Sequence, residues 1–183
     1  MAEFVAGRLL VASPKLTDPN FERTVVYIGM HDRDGAFGLV LNRPLEVHVE
    51  EHLEGWERVV SPPAVLFQGG PVDTSAVVGL ARPLDATLDG WTEMAGGAGI
   101  IDLRLPPAEA EKGVAHLRLF LGYAGWTSGQ LEEEIADEGW FVVELQRDDL
   151  FTPEPASLWQ RVLRRQQGRL AIFAYFPEDP SRN

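Results

Sequence analysis

The sequence predicts an α+β protein of a single domain spanning 1–183. Three observations carry the prediction. The first two clear strands, TVVYIGM (24–30) and AFGLVLN (36–42), are joined by a short turn, so the sheet begins with antiparallel pairing. Strand and helix patterns then follow without the regular alternation of a doubly wound parallel sheet, which favours a mixed or antiparallel sheet with flanking helices. Finally, 183 residues at 45% hydrophobic content, with no repeat, linker or low-complexity run, suit one core of ordinary size.

Each element has its own signal. GRLLVAS (7–13) is an apolar strand ended by Pro14. Asp34-Gly35 supplies the hairpin turn, because both residues tolerate positive φ. From Leu45 the apolar positions Leu45, Val49, Leu53 and Trp56 step by 4, 4 and 3, which predicts a helix. The run AVLF ends at a Gly69-Gly70-Pro71 turn, and SAVVGLARP (75–83) follows as a strand. Residues 84–99 are Gly-rich and loop-like, 99–105 is extended, and PPAEAEKG starts a short helix with proline. HLRLFLGYA (116–124) is a strand that turns sharply onto a helix. Thr127 and Gln130 stand at capping-box spacing, and the helix QLEEEIADE stops at Gly139. WFVVEL (140–145) is a strand. SLWQRVLRRQQ (157–167) is an amphipathic helix with Leu158, Trp159, Val162 and Leu163 on one face, and GRLAIFAYF (168–176) is expected as a last strand.

Composition narrows the chemistry. The absence of cysteine removes disulfides, thiolate catalysis and cysteine-ligated metals. Glu3 comes early, no basic leader or apolar span is present, and a cytoplasmic protein without membrane contact is expected. A net charge of −12 repels polyanions, which disfavours direct nucleic-acid binding. Arg161, Arg164, Arg165 and Arg169 form one basic cluster, read as a solvated face or a partner for the acidic run Glu132–Glu138.

Motifs give few catalytic leads. Ser128 in G-W-T-S-G lacks the G-x-S-x-G context of a nucleophile elbow, so a capping role explains it better. His48, Glu51 and His52 match H-x-x-E-H, which on a helix sets two imidazoles on one face for zinc with Glu51 as base. No third ligand stands out downstream, and chance matches to so short a pattern are common, so a zinc peptidase is disfavoured. Gly69-Gly70 lacks the surroundings of a nucleotide-binding loop. No cofactor is implied.

GRLLVASPKLTDPNF, HDRDGAFGLVLNRPL, FQGGPV, GYAGWTSGQLEEEI with Trp140, and the later DLFTPEPASLW and PEDPS together resemble the YqgE/AlgH family of bacterial proteins over nearly the whole chain. The resemblance implies a single α+β domain with a bent sheet approaching a barrel, in a cytoplasmic protein without an established activity. One branch of that family carries a transcriptional-regulator label, and no catalytic set comes with it. The H-V-E-E-H segment is not among the shared motifs.

These readings converge on a non-enzymatic binding or regulatory module with an unknown protein or small-molecule partner. Its candidate site gathers His31, Asn42, Gly69, Gly70, Tyr123, Trp126, Gln130 and Glu132, centred on a glycine-lined corner between GYAGW and Gly69-Gly70. The alternative from another class is a small hydrolase with His31 or Glu132 as base. His31 and Asn42 lie near opposite ends of the hairpin, and each also suits a local structural role: His31 at the turn, Asn42 capping a loop.

Overall fold

The computed structural model describes residues 3–85 and 87–178. Their ten strands make one curled, mostly antiparallel sheet, a half-barrel with a few flanking helices. The main path begins with β10 (Trp140–Glu144), β1 (Arg8–Ala12), β2 (Val25–Asp32) and β3 (Gly35–Val40). It continues through β9 (Val114–Thr127), β6 (Val72–Pro83), β8 (Gly99–Ile101) and β7 (Trp91–Glu93). β4 (Pro44–His48) pairs with β5 (Val65–Gln68), and β5 runs parallel to β9.

β1 shows why these strands read as unbroken apolar runs. Leu9 and Val11 join one core cluster while Leu10 and Ala12 join another, and all four are fully buried. A strand covered on both faces needs apolar residues at every position rather than at alternate ones. The first cluster is closed by α4 (Leu158–Arg164), whose Leu158, Trp159, Val162 and Leu163 form the predicted buried stripe. The second is closed by α3 (Gln130–Ala136) through Leu131. A third cluster packs β4, β6 and β8 against α2 (Pro107–Gly113).

β9 connects the two halves of the sheet. Its first part pairs with β6, its last four residues pair with β3, and Gly122 bends it between them at φ +67. The expected end of this strand at residue 124 is therefore its bend, and pairing continues to Thr127.

Several expected elements differ. Leu45–Trp56 is not one helix: β4 is followed by the single turn α1 (Val49–His52) and a 3-10 turn at Trp56–Arg58. Leu45, Val47 and Val49 also alternate with period two, and pairing with β5 selects that period. The expected last strand is a helix, α5 (Arg169–Phe173), in which Leu170 and Phe173 meet the core three residues apart. The Gly-rich 84–99 segment contains β7, and the extended 99–105 run pairs only over β8. The hairpin connection is Arg33-Asp34, with Asp32 paired to Gly35. Gly35 is needed for a different reason than the turn: at φ +141, a Cβ there would stand 2.2 Å from the Trp126 carbonyl oxygen. The left-handed residue after α3 is Glu138 at φ +59, one position before the expected Gly139. No helix of the described residues is long and apolar enough to cross a membrane.

Candidate functional site

The eight residues singled out in the sequence fall into three places. Asn42 is separate. Its Oδ1 accepts from Val25 N–H at 2.9 Å and its Nδ2 donates to the Arg23 carbonyl at 2.9 Å, so it ties the start of β2 to the end of β3. It also lines a cavity of about 530 Å³ with Arg23, Arg43 and Trp159.

Gly69, Gly70 and Tyr123 meet where β5 leaves the sheet. The contact is backbone on backbone. A Cβ on Gly69 would lie 2.3 Å from the Gly122 oxygen, and one on Gly70 would lie 2.2 Å from the Tyr123 carbonyl. Gly69 N–H donates to Leu121 O at 2.8 Å. The two glycines thus fill the space that the sequence suggests as a cleft. Tyr123 is half-buried and tilts against Phe37 at 5.3 Å.

His31, Trp126, Gln130 and Glu132 are brought together at the far end of the hairpin. His31 pairs with Ala36 and Ala36 with Trp126, so one cross-strand row runs through β2, β3 and β9. Ser128 Oγ donates to the Arg33 carbonyl at 2.6 Å, which pins the start of α3 to the hairpin loop. Gln130 Oε1 accepts from Thr127 N–H at 3.0 Å. Only this returning half of the capping box forms, because the cap position of α3 is Gly129 and no side chain caps it.

The His31 imidazole is fully buried, with a hydrogen bond at one ring nitrogen only. Nδ1 accepts from Val5 N–H at 3.0 Å. Nε2 faces Glu132 Oε1 at 3.4 Å, and Phe4 meets the ring edge-on at 5.1 Å. A base needs a free lone pair within reach of substrate. Here the lone pair of Nδ1 points at a backbone amide, so His31 anchors the N-terminal segment to α3. His31 Nε2 and Glu132 Oε2 have no hydrogen-bond partner among the described residues.

The organiser of this corner is a residue that the sequence does not single out. Glu134 Oε2 accepts from the indole N–H of Trp126 at 2.9 Å and of Trp140 at 2.8 Å, while Oε1 accepts from Gln130 Nε2 at 3.0 Å. Phe21 stacks on Trp126 at 6.1 Å and meets Trp140 edge-on at 5.4 Å. Trp126 is 6% exposed, so it is a core residue rather than an open platform. The signal in the sequence was the spacing of Gln130 and Glu134, one helical turn apart and facing Trp126. What remains open at the corner is acidic: Asp32, Asp34, Glu133 and Asp137 are exposed, beside Phe4 at 50% exposure.

His48 and His52 are exposed, and α1 holds only His52 while His48 ends β4, so they do not share a helical face. Among the described residues no group of three or more His, Asp or Glu side chains converges to hold a metal. The basic cluster disperses. Arg165 forms a bidentate pair with buried Asp149 at 2.7 Å, Arg164 lies over Tyr175, and Glu138 of the acidic run is paired with Lys15.

Known proteins share this sequence pattern and architecture. The family model described as AlgH-like matches residues 9–171. A UPF0301 protein of Streptomyces avermitilis is 47% identical over 98% of this chain and 95% of its own length. One from Thermobifida fusca is 44% identical over 98% and 96%. An X-ray crystal structure of a Corynebacterium diphtheriae protein superposes with a TM-score of 0.87 at 31% identity, covering 95% of this chain and 93% of that one. The solution structure of the AlgH protein from Pseudomonas aeruginosa gives a TM-score of 0.70 at 30% identity, covering 94% of each.

Proposed function

The chain belongs to the AlgH-like family, and from that premise we propose that it is a cytoplasmic, non-catalytic binding module with a regulatory role. It engages a protein partner through the corner where the hairpin loop meets α3. The observation that carries this reading is the His31–Glu132 contact: the one imidazole–carboxylate contact among the described residues has a fully buried ring whose Nδ1 lone pair is taken by Val5 N–H. The same corner leaves Asp32, Asp34, Glu133 and Asp137 in solvent around an exposed Phe4. Such a surface suits a basic partner segment carrying an apolar anchor, with the carboxylates steering approach and the aromatic ring supplying contact area.

The test is capture from a bacterial lysate by chemical cross-linking, with wild type and the Glu133→Lys/Asp137→Lys variant compared. The expected result is a reproducible partner whose cross-links map to 32–34 and 132–137 and which the charge reversal abolishes. A panel of esterase, phosphatase and peptidase substrates provides the opposing outcome. Turnover that disappears in His31→Ala, with folding intact, would replace this reading with a hydrolase.

A further inference from the structure

Independently of that corner, four arginines converge near the opposite end of β9. A pocket of about 340 Å³ is lined by Arg82 of β6, His116 of β9, Arg147 from the segment after β10, and Arg161 of α4. Phe151 makes its apolar wall: His116 stacks on that ring at 5.3 Å and the Arg82 guanidinium lies over it at 5.3 Å. Arg118, two residues beyond His116 on β9, stands behind the pocket. Its Nη2 donates to the carbonyl of Thr152, a lining residue, at 2.9 Å and to Pro62 O at 2.8 Å.

The chain has 28 acidic residues for 16 basic ones, so carboxylates are plentiful partners for an arginine. Arg8, Arg58, Arg104 and Arg165 each have one within 4.0 Å. Among the described residues Arg82, Arg118, Arg147 and Arg161 have none. Their bonds go to neutral oxygens: Arg82 to Arg147 O, and Arg161 to Ser157 Oγ and Thr152 Oγ1. Asp148 and Glu154 also line the pocket yet bridge to none of the four. Arg118 is 1% exposed and lies over the Phe67 ring at 4.3 Å, and its Nε and Nη1 have no hydrogen-bond partner among the described residues. A buried guanidinium without a counter-charge is costly, and so is the mutual repulsion of several. Burial first, then Arg147, hold Arg82 below its usual range against the pull of Asp148 and Tyr27, and burial, Arg82, Arg147 and Arg118 hold His116 below its own against Asp148.

We propose that this pocket is an oxyanion site for the phosphate group of a small organic phosphate. Arg82, Arg147 and Arg161 are its direct ligands, and the His116–Phe151 face is the wall against which the organic part lies. Guanidinium forks match phosphate oxygens geometrically, and several of them answer a dianion better than a monocarboxylate. The volume suits a compact metabolite. A nucleic-acid backbone is disfavoured by the −12 net charge of the chain. Arg118 is a positioning residue: it holds the Thr152 carbonyl and adds field from behind.

The experiment is an NMR titration of ¹⁵N-labelled protein with inorganic phosphate and, separately, ribose 5-phosphate, at constant ionic strength set with sodium chloride. Amide and arginine Nε–H resonances are followed. The expected result is saturable shifts confined to 116–118, 147–154 and the Arg82, Arg118 and Arg161 side chains, with ribose 5-phosphate binding tighter than phosphate. Arg147→Gln/Arg161→Gln should weaken both by about tenfold or more, while Arg104→Gln, already paired to Asp102 elsewhere, should change nothing. Arg147 is exposed, so Arg147→Gln alone carries the comparison if the double variant does not fold. Shifts that chloride reproduces, shifts that never saturate, or affinity retained in the variants would overturn the proposal. Equal affinity for the two probes would remove the organic part from it.

Discussion

Replacing Glu134 tests the organisation of the α3 corner more sharply than replacing either tryptophan, because it removes interactions without removing much apolar surface. One carboxylate oxygen takes both indole N–H groups at 2.9 and 2.8 Å, and the other takes Gln130. Trp126 and Trp140 are 6% and 2% exposed, so water cannot replace the lost acceptor freely. A hydrogen bond to a charged group contributes about 1.5–3 kcal/mol, and an unsatisfied buried donor costs a similar amount. Glu134 is only half-buried, which argues for the lower end of that range for each indole. Glu134→Ala should therefore lose about 3 kcal/mol of unfolding free energy, and Glu134→Gln, which keeps one neutral acceptor, about 1 kcal/mol. Urea unfolding followed by tryptophan fluorescence measures both, with emission of the native state shifting red in the alanine variant. The pairing is isolated by a double-mutant cycle with Trp126→Phe, where a coupling near 1 kcal/mol is expected. A loss below about 1 kcal/mol in Glu134→Ala, with no coupling, would show that the two indoles are held by packing alone.

Three further outcomes follow from the same geometry. Asn42→Ala leaves the N–H of fully buried Val25 without its acceptor and should cost about 1–3 kcal/mol, read from the urea midpoint; an unchanged midpoint would mean water takes the place of Oδ1. Gly70→Ala should not yield folded protein by circular dichroism, because its Cβ would stand 2.2 Å from the Tyr123 carbonyl; Gly125→Ala, whose nearest neighbour is Tyr123 Cε2 at 3.5 Å, is the tolerated control. His116 is held below the ordinary histidine value first by burial and then by Arg82, Arg147 and Arg118, against the opposing pull of Asp148. The unfolded chain then takes up a proton before the folded one does. Stability from this group is present above about pH 6.5 and is lost as pH falls from there toward the folded value. His116→Gln should flatten that limb of the pH–stability curve, and an NMR titration of the imidazole should give a midpoint below that of a free histidine.

Elements whose residues answer to neighbours close in sequence were legible. The hairpin, the all-apolar β1 and the stripe of α4 each carry a periodicity that the structure preserves. The expectations that failed did so where two periods competed. Leu45, Val49, Leu53 and Trp56 satisfy a helix, but Leu45, Val47 and Val49 satisfy a strand equally well, and only β5, about 20 residues away, decides between them. In GRLAIFAYF the continuous apolar run suggests a buried strand. Yet Ile172 and Tyr175 are 63% and 75% exposed, and Leu170 and Phe173 reach the core, the latter stacking on Phe141 at 5.3 Å. Apolar content cannot report which residues stay in water when a helix lies on the outside of a sheet.

The candidate sites were harder to read because their chemistry is made by pairings with no local trace. Val5 and His31 are 26 residues apart, Ser61 and His116 are 55 apart, and Arg82 reaches the Arg147 carbonyl across 65. A histidine beside a carboxylate invites a catalytic reading in sequence, and the bond from Val5 N–H removes the lone pair that reading needs. The Ser61–His116 contact is similarly constrained: Ser61 Oγ also accepts Leu117 N–H at 3.3 Å, and Ser61 N–H donates to Leu117 O at 2.7 Å. That reciprocal stitching fixes the loop to β9 and leaves Ser61 buried, a poor position for attack on a substrate. The arginines give the opposite lesson. In the sequence the visible basic cluster is Arg161 to Arg169, and the fold scatters it, sending Arg165 to Asp149 and Arg164 to Tyr175. The concentration of positive charge that does arise takes only Arg161 from that cluster and joins it to isolated arginines on β6, β9 and the segment after β10. Charge clustered along a chain is most simply solvated by water. Charge gathered from four elements, kept from available carboxylates and partly buried requires each element to contribute separately, and that is the stronger reason to look for an anion there.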